Sequence, residues 1–304
     1  MAKHNDVFLY GFVEEPPTII FDEKTKTPTR CFFNVLALRG VRDFGNNLDF
    51  ARVDSIRVMS FRPEIIKIAQ NIKSNTMVEL KGSFTTKNVK KTVVCEHCGH
   101  KNSNLGTIGF INPIYLGIRE RVLGREEALG LLKEKYEISN QVTVIGMLCR
   151  EPQLFVTNTG LNITTYQMAV MRKYKVREEN ADNVVDFPWI KSYGKLALSD
   201  IKALKKGAYV FVDGVIQARD IERITDCEEC GHENHWQEKV EEIVPYAVEY
   251  LRGHKDIKEV DATLKDNPIV PDGKVISEDD IEKPIEVPDF DVDAFIDEQL
   301  KAFK

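Results

Sequence analysis

No stretch of the 304 residues approaches the roughly 18 consecutive apolar positions that a membrane-spanning helix needs. Met1 to Asp6 has no apolar run of the kind a signal peptide carries, so the chain is expected to stay where it is made, in the cytoplasm. There is no phosphate-cradling glycine loop and no acidic metal cluster, which leaves an enzyme the least supported class. Cysteine is scarce, six in all, and four of the six fall in two Cys-x-x-Cys pairs. In a reducing compartment such pairs indicate metal or redox chemistry rather than structural disulfides.

An excess of positive charge is also missing, since the net charge is −6, and this first argues against a nucleic-acid partner. The charge is segregated, however. Residues 256–304 hold 15 acidic side chains against 6 lysines, a net of −9, which leaves +3 for residues 1–255 out of the total of −6. A mildly basic body carries an acidic tail.

What is present is a repeat. Asn5, Gly11 and Pro17 align with Asn140, Gly146 and Pro152 at an offset of 135. After a change in loop length the offset becomes 132: Phe61 falls on Tyr193, Gly82 on Gly214, Pro113 on Pro245, and Cys95-x-x-Cys98-Gly99-His100 on Cys227-x-x-Cys230-Gly231-His232. Coincidental cysteine knuckles would not share a register with glycines and prolines, so the chain is read as a duplication.

Each copy reads as mostly β. Val7–Val13 and Val142–Leu148 are β-branched and aromatic runs broken by a glycine, as at a barrel corner. Second strands are expected over Phe32–Leu38 and Ile163–Met171, and third strands over Ser55–Phe61 and Phe187–Tyr193. Short helices follow over Pro63–Ile72 and Leu196–Leu204, then fourth strands over Val78–Phe84 and Ala208–Gln217. Fifth strands near Thr107–Ile118 and Val240–Leu251 come after the cysteines. Five strands with a helix between the third and fourth is the order of the OB-fold barrel. The fold class is therefore all-β: two tandem five-stranded OB-fold barrels, residues 1–121 and 139–253. A helical linker joins them over 122–138, and 254–304 is an acidic, largely disordered tail. Phe32, Phe33 and Phe211 are assigned to the core, and Cys31 and Cys149 are read as small core residues.

Asn140-Gln-Val142, Gly146, Glu151-Pro152, Phe187-Pro-Trp189-Ile-Lys-Ser-Tyr193-Gly-Lys-Leu-Ala197, Lys205-Lys-Gly207 and Val212-Asp-Gly214 carry a resemblance to the bacterial single-stranded-DNA-binding protein family. The first copy is more divergent and inherits the assignment through the repeat. The resemblance implies a bacterial or phage-infected cell, nucleoid association, and four OB domains acting together. A two-barrel chain looks like half of such an assembly, hence a monomer or homodimer.

Sequence-independent binding needs cations for phosphates and aromatic faces for bases. The stacking positions that the resemblance carries over are Trp189, Tyr193 and Tyr174. Trp189 and Tyr193 lie four apart on one strand and so on one sheet face. Arg172, Lys173, Lys175 and Lys191 lie among them. A further family aromatic is replaced by Ile221. In the first copy Phe61 matches Tyr193, Arg57 stands where Trp189 does, and Phe44, flanked by Arg39 and Arg42, takes the place of Tyr174. Arg57 can both stack on a base and bind phosphate. Lys87, Lys90, Lys91, Arg219 and Arg223 sit on the arms leading to the cysteines, where a solvated charged face is an equal alternative.

Cys-x-x-Cys-Gly is the shape of a zinc knuckle, the glycine permitting a tight turn around sulfur. Structural zinc takes four ligands and each copy supplies two cysteines. The expectation is one Zn2+ shared by Cys95, Cys98, Cys227 and Cys230. The alternatives are one ion per hairpin, recruiting His100 or His232 and, in the second copy only, His235, or a site bridging two chains. The pairs follow β-runs rather than opening a helix, which disfavours thioredoxin-like redox chemistry. Gly124–Tyr136 reads as a spacer helix. The tail end mixes acid with Phe290, Phe295, Ile296, Leu300 and Phe303, and the resemblance implies docking of replication and repair proteins there. It departs from the family in ending Phe303-Lys304 rather than in an acidic run capped by Pro-Phe.

The function expected is binding and protection of single-stranded DNA in replication, recombination or repair. The alternatives are a replisome scaffold with weak or no DNA binding, and an RNA-binding OB-fold protein.

Overall fold

The computed structural model describes residues 3–40, 52–173, 185–255 and 275–276. The strands of the first copy are β1 (His4–Val13), β2 (Thr18–Phe21), β3 (Pro28–Arg39), β4 (Arg52–Ser60), β5 (Thr76–Val94) and β6 (Lys101–Arg121), with helix α1 (Pro63–Ala69) between β4 and β5. Helices α2 (Arg125–Glu134) and α3 (Tyr136–Ser139) connect to the second copy. That copy holds β7 (Asn140–Leu148), β8 (Gln153–Thr157), β9 (Asn162–Met171), β10 (Val185–Asp186), β11 (Trp189–Tyr193), α4 (Gly194–Ala203), β12 (Tyr209–Asp226) and β13 (Glu233–Arg252). A two-residue strand β14, Val275–Ile276, pairs in parallel with the edge of β8.

Each copy closes into an OB-fold barrel. In the first, β1 pairs with both β3 and β5, and the circuit closes through a parallel bridge between Val58 on β4 and Ile111 on β6. In the second, β7 pairs with β9 and β12, and the bridge joins Ile190 on β11 to Ile243 on β13. The helix stands between the third and fourth long strands, as the sequence order implies. Cys31 and Cys149 face the interior, where burial pushes their thiols up to about 11 and about 12.

The barrels join edge to edge along β1 and β7, which run antiparallel from His4↔Ile145 to Leu9↔Asn140. Val7 pairs with Val142, its own counterpart at the offset of 135, so a pseudo-twofold axis passes through that pair. The same symmetry explains the repeated asparagine. Asn5 bonds the backbone N and O of Phe84 at 2.8 Å each, and Asn140 does so to Ile216, at 2.9 and 2.8 Å. Each amide replaces a missing ladder partner for a buried peptide group. Two matching ion pairs, one in each copy, reach the other copy through their carboxylates. Arg39 holds Asp54, which accepts from the Ala218 backbone N at 3.0 Å, while Arg172 holds Asp186, which accepts from the Thr86 backbone N at 2.8 Å.

Four sequence expectations need correction. The fourth and fifth strands are far longer than expected: β5 with β6, and β12 with β13, continue past the barrels as two-stranded arms ending at the cysteines. The linker is not a bare spacer, because Ala128 and Leu132 pack under Tyr10, Phe12, Leu38 and Met77. Ser139 also bonds the backbones of Leu38 and Tyr10. Phe32 is 43% exposed, whereas its neighbour Phe33 is buried. Cys31, Phe33 and Val35 set the inward phase of β3, and period two turns Phe32 out. Phe211 is half-buried rather than a core residue.

Inside the second barrel, Asp200 on α4 accepts from Ser192 Oγ, Tyr250 OH and Tyr166 OH. Burial raises its pKa to about 6 against the three hydroxyl donors that oppose the shift. The group is raised in the folded state, so its stabilising contribution is complete below about pH 4 and lost as pH rises through about 6. The shift corresponds to roughly 3 kcal/mol. Asp200→Asn is therefore expected to flatten the dependence of stability on pH between about 4 and 6, relative to wild type, in urea titrations. Parallel curves for the two proteins would show that Asp200 does not titrate in that window.

Candidate nucleic-acid interface and cysteine cluster

On β11, Ile190 and Ser192 point inward, and Trp189 and Tyr193 lie half-buried on the outer face, as their spacing implies. Arg150 stands beside the indole, its guanidinium 5.4 Å from the ring centroid, and its Nη2 donates to Gln167 Oε1 at 3.0 Å. Gln167 is the cross-strand partner of Trp189. Sequence reasoning missed Arg150, although it immediately precedes the Glu151-Pro152 pair that helped carry the resemblance. The Tyr193 hydroxyl donates to Gln217 Oε1 at 3.4 Å, and burial pushes its pKa up to about 12. The ring thus keeps its proton and stays neutral through the physiological range. An aromatic face backed by a guanidinium, beside a neutral phenol, is a surface on which an unpaired base can stack.

The other candidates divide. Lys173 is exposed, 3.8 Å from Asp6. Arg172 is buried with Asp186 at 2.5 Å, and Lys191 is buried 3.9 Å from Glu242. Arg39 is likewise bound to Asp54. Each of the three is paired with a carboxylate of its own copy, and the partners of Arg39 and Arg172 also accept a bond from the other copy, which corrects their placement at the surface. A buried charge needs its partner, so these cations are structural first. Arg57 lies on the outer face, 3.7 Å from Glu241, whose carboxyl burial raises to about 7 while Arg57 opposes the shift. Phe61 is buried, with Lys87 Nζ 5.4 Å over its ring. Ile221 is buried along its arm. Tyr174, Lys175, Phe44 and Arg42 lie outside the described residues.

The arms cross beside the barrels. Lys91 and Arg223, equivalent at the offset of 132, converge on the single carboxylate of Glu238. The position equivalent to Glu238 is Gly106, where a Cβ would lie 2.7 Å from the Lys91 side chain. Absence of a side chain there lets Lys91 reach across. Both cations, expected as phosphate contacts or solvated charge, are thereby engaged: Lys91 bridges the arms and Arg223 pairs within its own.

At the tips all four knuckle cysteines converge, every sulfur within 4.8 Å of the others. Cys95 Sγ lies 3.7 Å from Cys230 Sγ, and Cys98 Sγ 3.6 Å from Cys227 Sγ. The pseudo-twofold exchanges these two contacts. A tetrahedral zinc thiolate site with Zn–S of about 2.3 Å has sulfur–sulfur edges of about 3.8 Å. The separations are too long for disulfides and match those edges. The two knuckles fold alike: Cys95 N donates to His100 O and Gly99 N to Cys95 O, and the second copy repeats both bonds through Cys227, His232 and Gly231. Gly99 and Gly231 turn with φ of 73° and 68°, which favours glycine. Backbone N–H groups, that of Cys98 foremost, hold the Cys95 thiol down at about 6. The histidines weighed as ligands stand elsewhere. His232 stacks on His97, and His235 bonds Glu222 and Glu233.

Two asparagines that sequence analysis passed over tie the tips together. Asn234 Oδ1 accepts from Glu96 N at 3.2 Å, and Asn102 Nδ2 donates to Asp226 O at 3.1 Å. They are equivalent at the offset of 132, so the repeated motif runs four residues beyond the second cysteine of each pair. That identity was a readable signal.

Comparison with known proteins agrees with this geometry. The model of the single-strand binding protein family matches residues 139–238, most of the second barrel and of its arm. A single-stranded DNA-binding protein of Caldanaerobacter subterraneus subsp. tengcongensis is 32% identical over 112 residues, 37% of this chain and 67% of that protein. Single-stranded DNA-binding protein 3 of Listeria innocua is 34% identical over 85 residues, which cover 27% of this chain and 51% of that one. The chain thus spans about half the length of several curated relatives it matches. Among solved structures, the wild-type single-stranded DNA binding protein from Thermus aquaticus superposes with a TM-score of 0.56 at 16% identity, covering 84% of this chain and 97% of that one. That coverage takes in both barrels and shows the shared fold. The protein is a tandem OB-fold chain, and it belongs to the single-strand binding protein family.

Proposed function

We propose that this chain binds single-stranded DNA irrespective of base order and protects it during replication, recombination or repair. The observation that carries the reading is Trp189, held beside Arg150 on the outer face of the barrel that matches the family, with Tyr193 on the same face. The family relationship supports it, as does the net of +3 over residues 1–255. Each chain brings two barrels to the strand, alone or paired with a second copy. Residues 256–304, which apart from Val275–Ile276 lie outside the described residues, supply the docking segment for replication and repair proteins.

The test is titration of labelled oligo(dT), the corresponding duplex and the matching RNA at several salt concentrations. The expected result is preference for the single DNA strand, with affinity falling as salt rises. Preference for RNA would move the protein to the alternative RNA-binding reading, and no binding to any of the three would leave the scaffold reading.

The second part of the proposal is a structural Zn2+ held by Cys95, Cys98, Cys227 and Cys230. It is supported by the sulfur separations, the two glycine turns and the all-thiolate donor set. When bound, the ion would cross-link the arms and neutralise thiolate charge. Metal analysis of the intact chain should find one zinc per chain. Two per chain would exclude the shared site.

A further inference from the structure

We infer that the first barrel carries its own base-stacking site on Phe32, on the strand next to the one that holds Trp189 in the second barrel. This rests on the single-stranded-DNA reading and names a contact within it. The outer faces of the two barrels can be laid out row by row from the strand pairing. In the second barrel Gln167 faces Trp189, Thr165 faces Lys191, and Ile163 faces Tyr193. In the first, Asn34 faces Arg57 and Phe32 faces Met59. The shared register makes Asn34/Arg57 the equivalent of Gln167/Trp189, and Phe32/Met59 the equivalent of Thr165/Lys191.

Where the second barrel has an aromatic above a lysine on β11, the first has an arginine above a methionine on β4, and the aromatic appears one row down on β3. A cation, Arg57, thus stands at the position of Trp189, and an aromatic, Phe32, at that of Thr165. A lone exposed phenylalanine is unremarkable on a soluble protein. Phe32 differs in its surroundings. Arg30 lies two residues away on the same face, and Arg57 is diagonal to it across the strand pair. Lys239 reaches over from the other copy's arm to Ser55 Oγ at 3.1 Å, two residues along β4 from Arg57. Glu241, which lies 3.7 Å from Arg57, is itself buried. An exposed apolar ring with Arg30 and Arg57 as neighbours on its face fits an unpaired base with its flanking phosphates. Phe61, expected from sequence to stack, is buried under Lys87, whereas Phe32 faces outward.

The experiment uses the full chain and oligo(dT) of fixed length at moderate salt. Phe32→Ala is expected to weaken binding about tenfold, and Phe32→Trp to restore it. With an oligonucleotide containing 5-iododeoxyuridine, photocrosslinking should reach the peptide that contains Phe32. If Phe32→Ala binds like wild type while Trp189→Ala is weakened, this inference falls and the functional reading stands. If wild type does not bind oligo(dT), both fall. A change in oligomeric state on Phe32→Ala would assign the face to contact between copies and overturn the inference. Should Phe32→Ala also unfold, the Phe32→Trp protein and the crosslink decide, since neither removes the ring.

Discussion

Replacing Trp189 and Tyr193 together with alanine is expected to weaken oligo(dT) binding by about 100-fold or more, since each base–aromatic stack contributes roughly 1–3 kcal/mol. Both rings are half-buried, so part of any effect could come from the fold. Two controls separate the contributions. The melting midpoint of the variant should stay within a few degrees of wild type. The paired substitution Trp189→Phe/Tyr193→Phe keeps two π-faces and should recover most of the affinity. Arg150 gives the same prediction a direction: without the indole, its guanidinium keeps Gln167 but loses its ring partner. The residual affinity of the double variant should accordingly become more salt-dependent. An unchanged affinity would remove this face from the binding site.

The second large effect is expected at the arm tips. Cys98 and Cys230 are the exposed members of the cluster, one from each knuckle. Cys98→Ser/Cys230→Ser leaves two thiolates, too few for a closed structural site. The variant should lose its zinc. Loss of a structural metal belongs among the changes costing more than about 4 kcal/mol, so the melting midpoint should fall by about 10 °C. The apolar core that runs through both barrels lies away from the tips and should remain folded. Limited proteolysis should then cut near the tips, between the ends of β5 and β6 or of β12 and β13, in the variant and not in wild type. Equal zinc content in both proteins would place the metal elsewhere. Equal protease resistance would show that the Lys91–Glu238–Arg223 group and the two asparagines hold the arms unaided.

The parts of this molecule that could be read from sequence are those written as identities. The repeat, the glycine turns of the knuckles and the buried Asn5 and Asn140 recur in register, and a recurring residue needs no knowledge of its neighbours to be noticed. The length of the arms was not legible. Thr86 to Val94 is dense in lysine and threonine, which by hydropathy resembles a loop. It forms strand because it pairs residue for residue with β6, from Thr86↔Gly109 to Val94↔Lys101, on the far side of the knuckle. The cations failed for a related reason. Arg172, Lys191 and Arg39 look like surface charge in sequence, and only the fold brings Asp186, Glu242 and Asp54 to them. Phe32 and Phe33 stand side by side, and composition does not say which faces in. The phase of Cys31 and Val35 does, and it was available before the structure.

The pseudo-twofold also shows where the copies have diverged. The second barrel keeps the outward Trp189 and Tyr193 and buries Asp200 among three hydroxyls. The first keeps the same frame and the matching Arg39–Asp54 ion pair, yet shows Arg57 and Phe32 to solvent. Pairing of β1 with β7 fixes the frame, leaving the outer faces free to differ.

The chain has two tryptophans, Trp189 and Trp236, so Trp236→Phe makes Trp189 the sole reporter. Its fluorescence, followed during titration with oligo(dT), is expected to be strongly quenched, to saturate at a fixed ratio of nucleotides to protein, and to recover on adding salt. Binding detected by anisotropy of the labelled strand with no change in that emission would contradict base stacking on the second barrel.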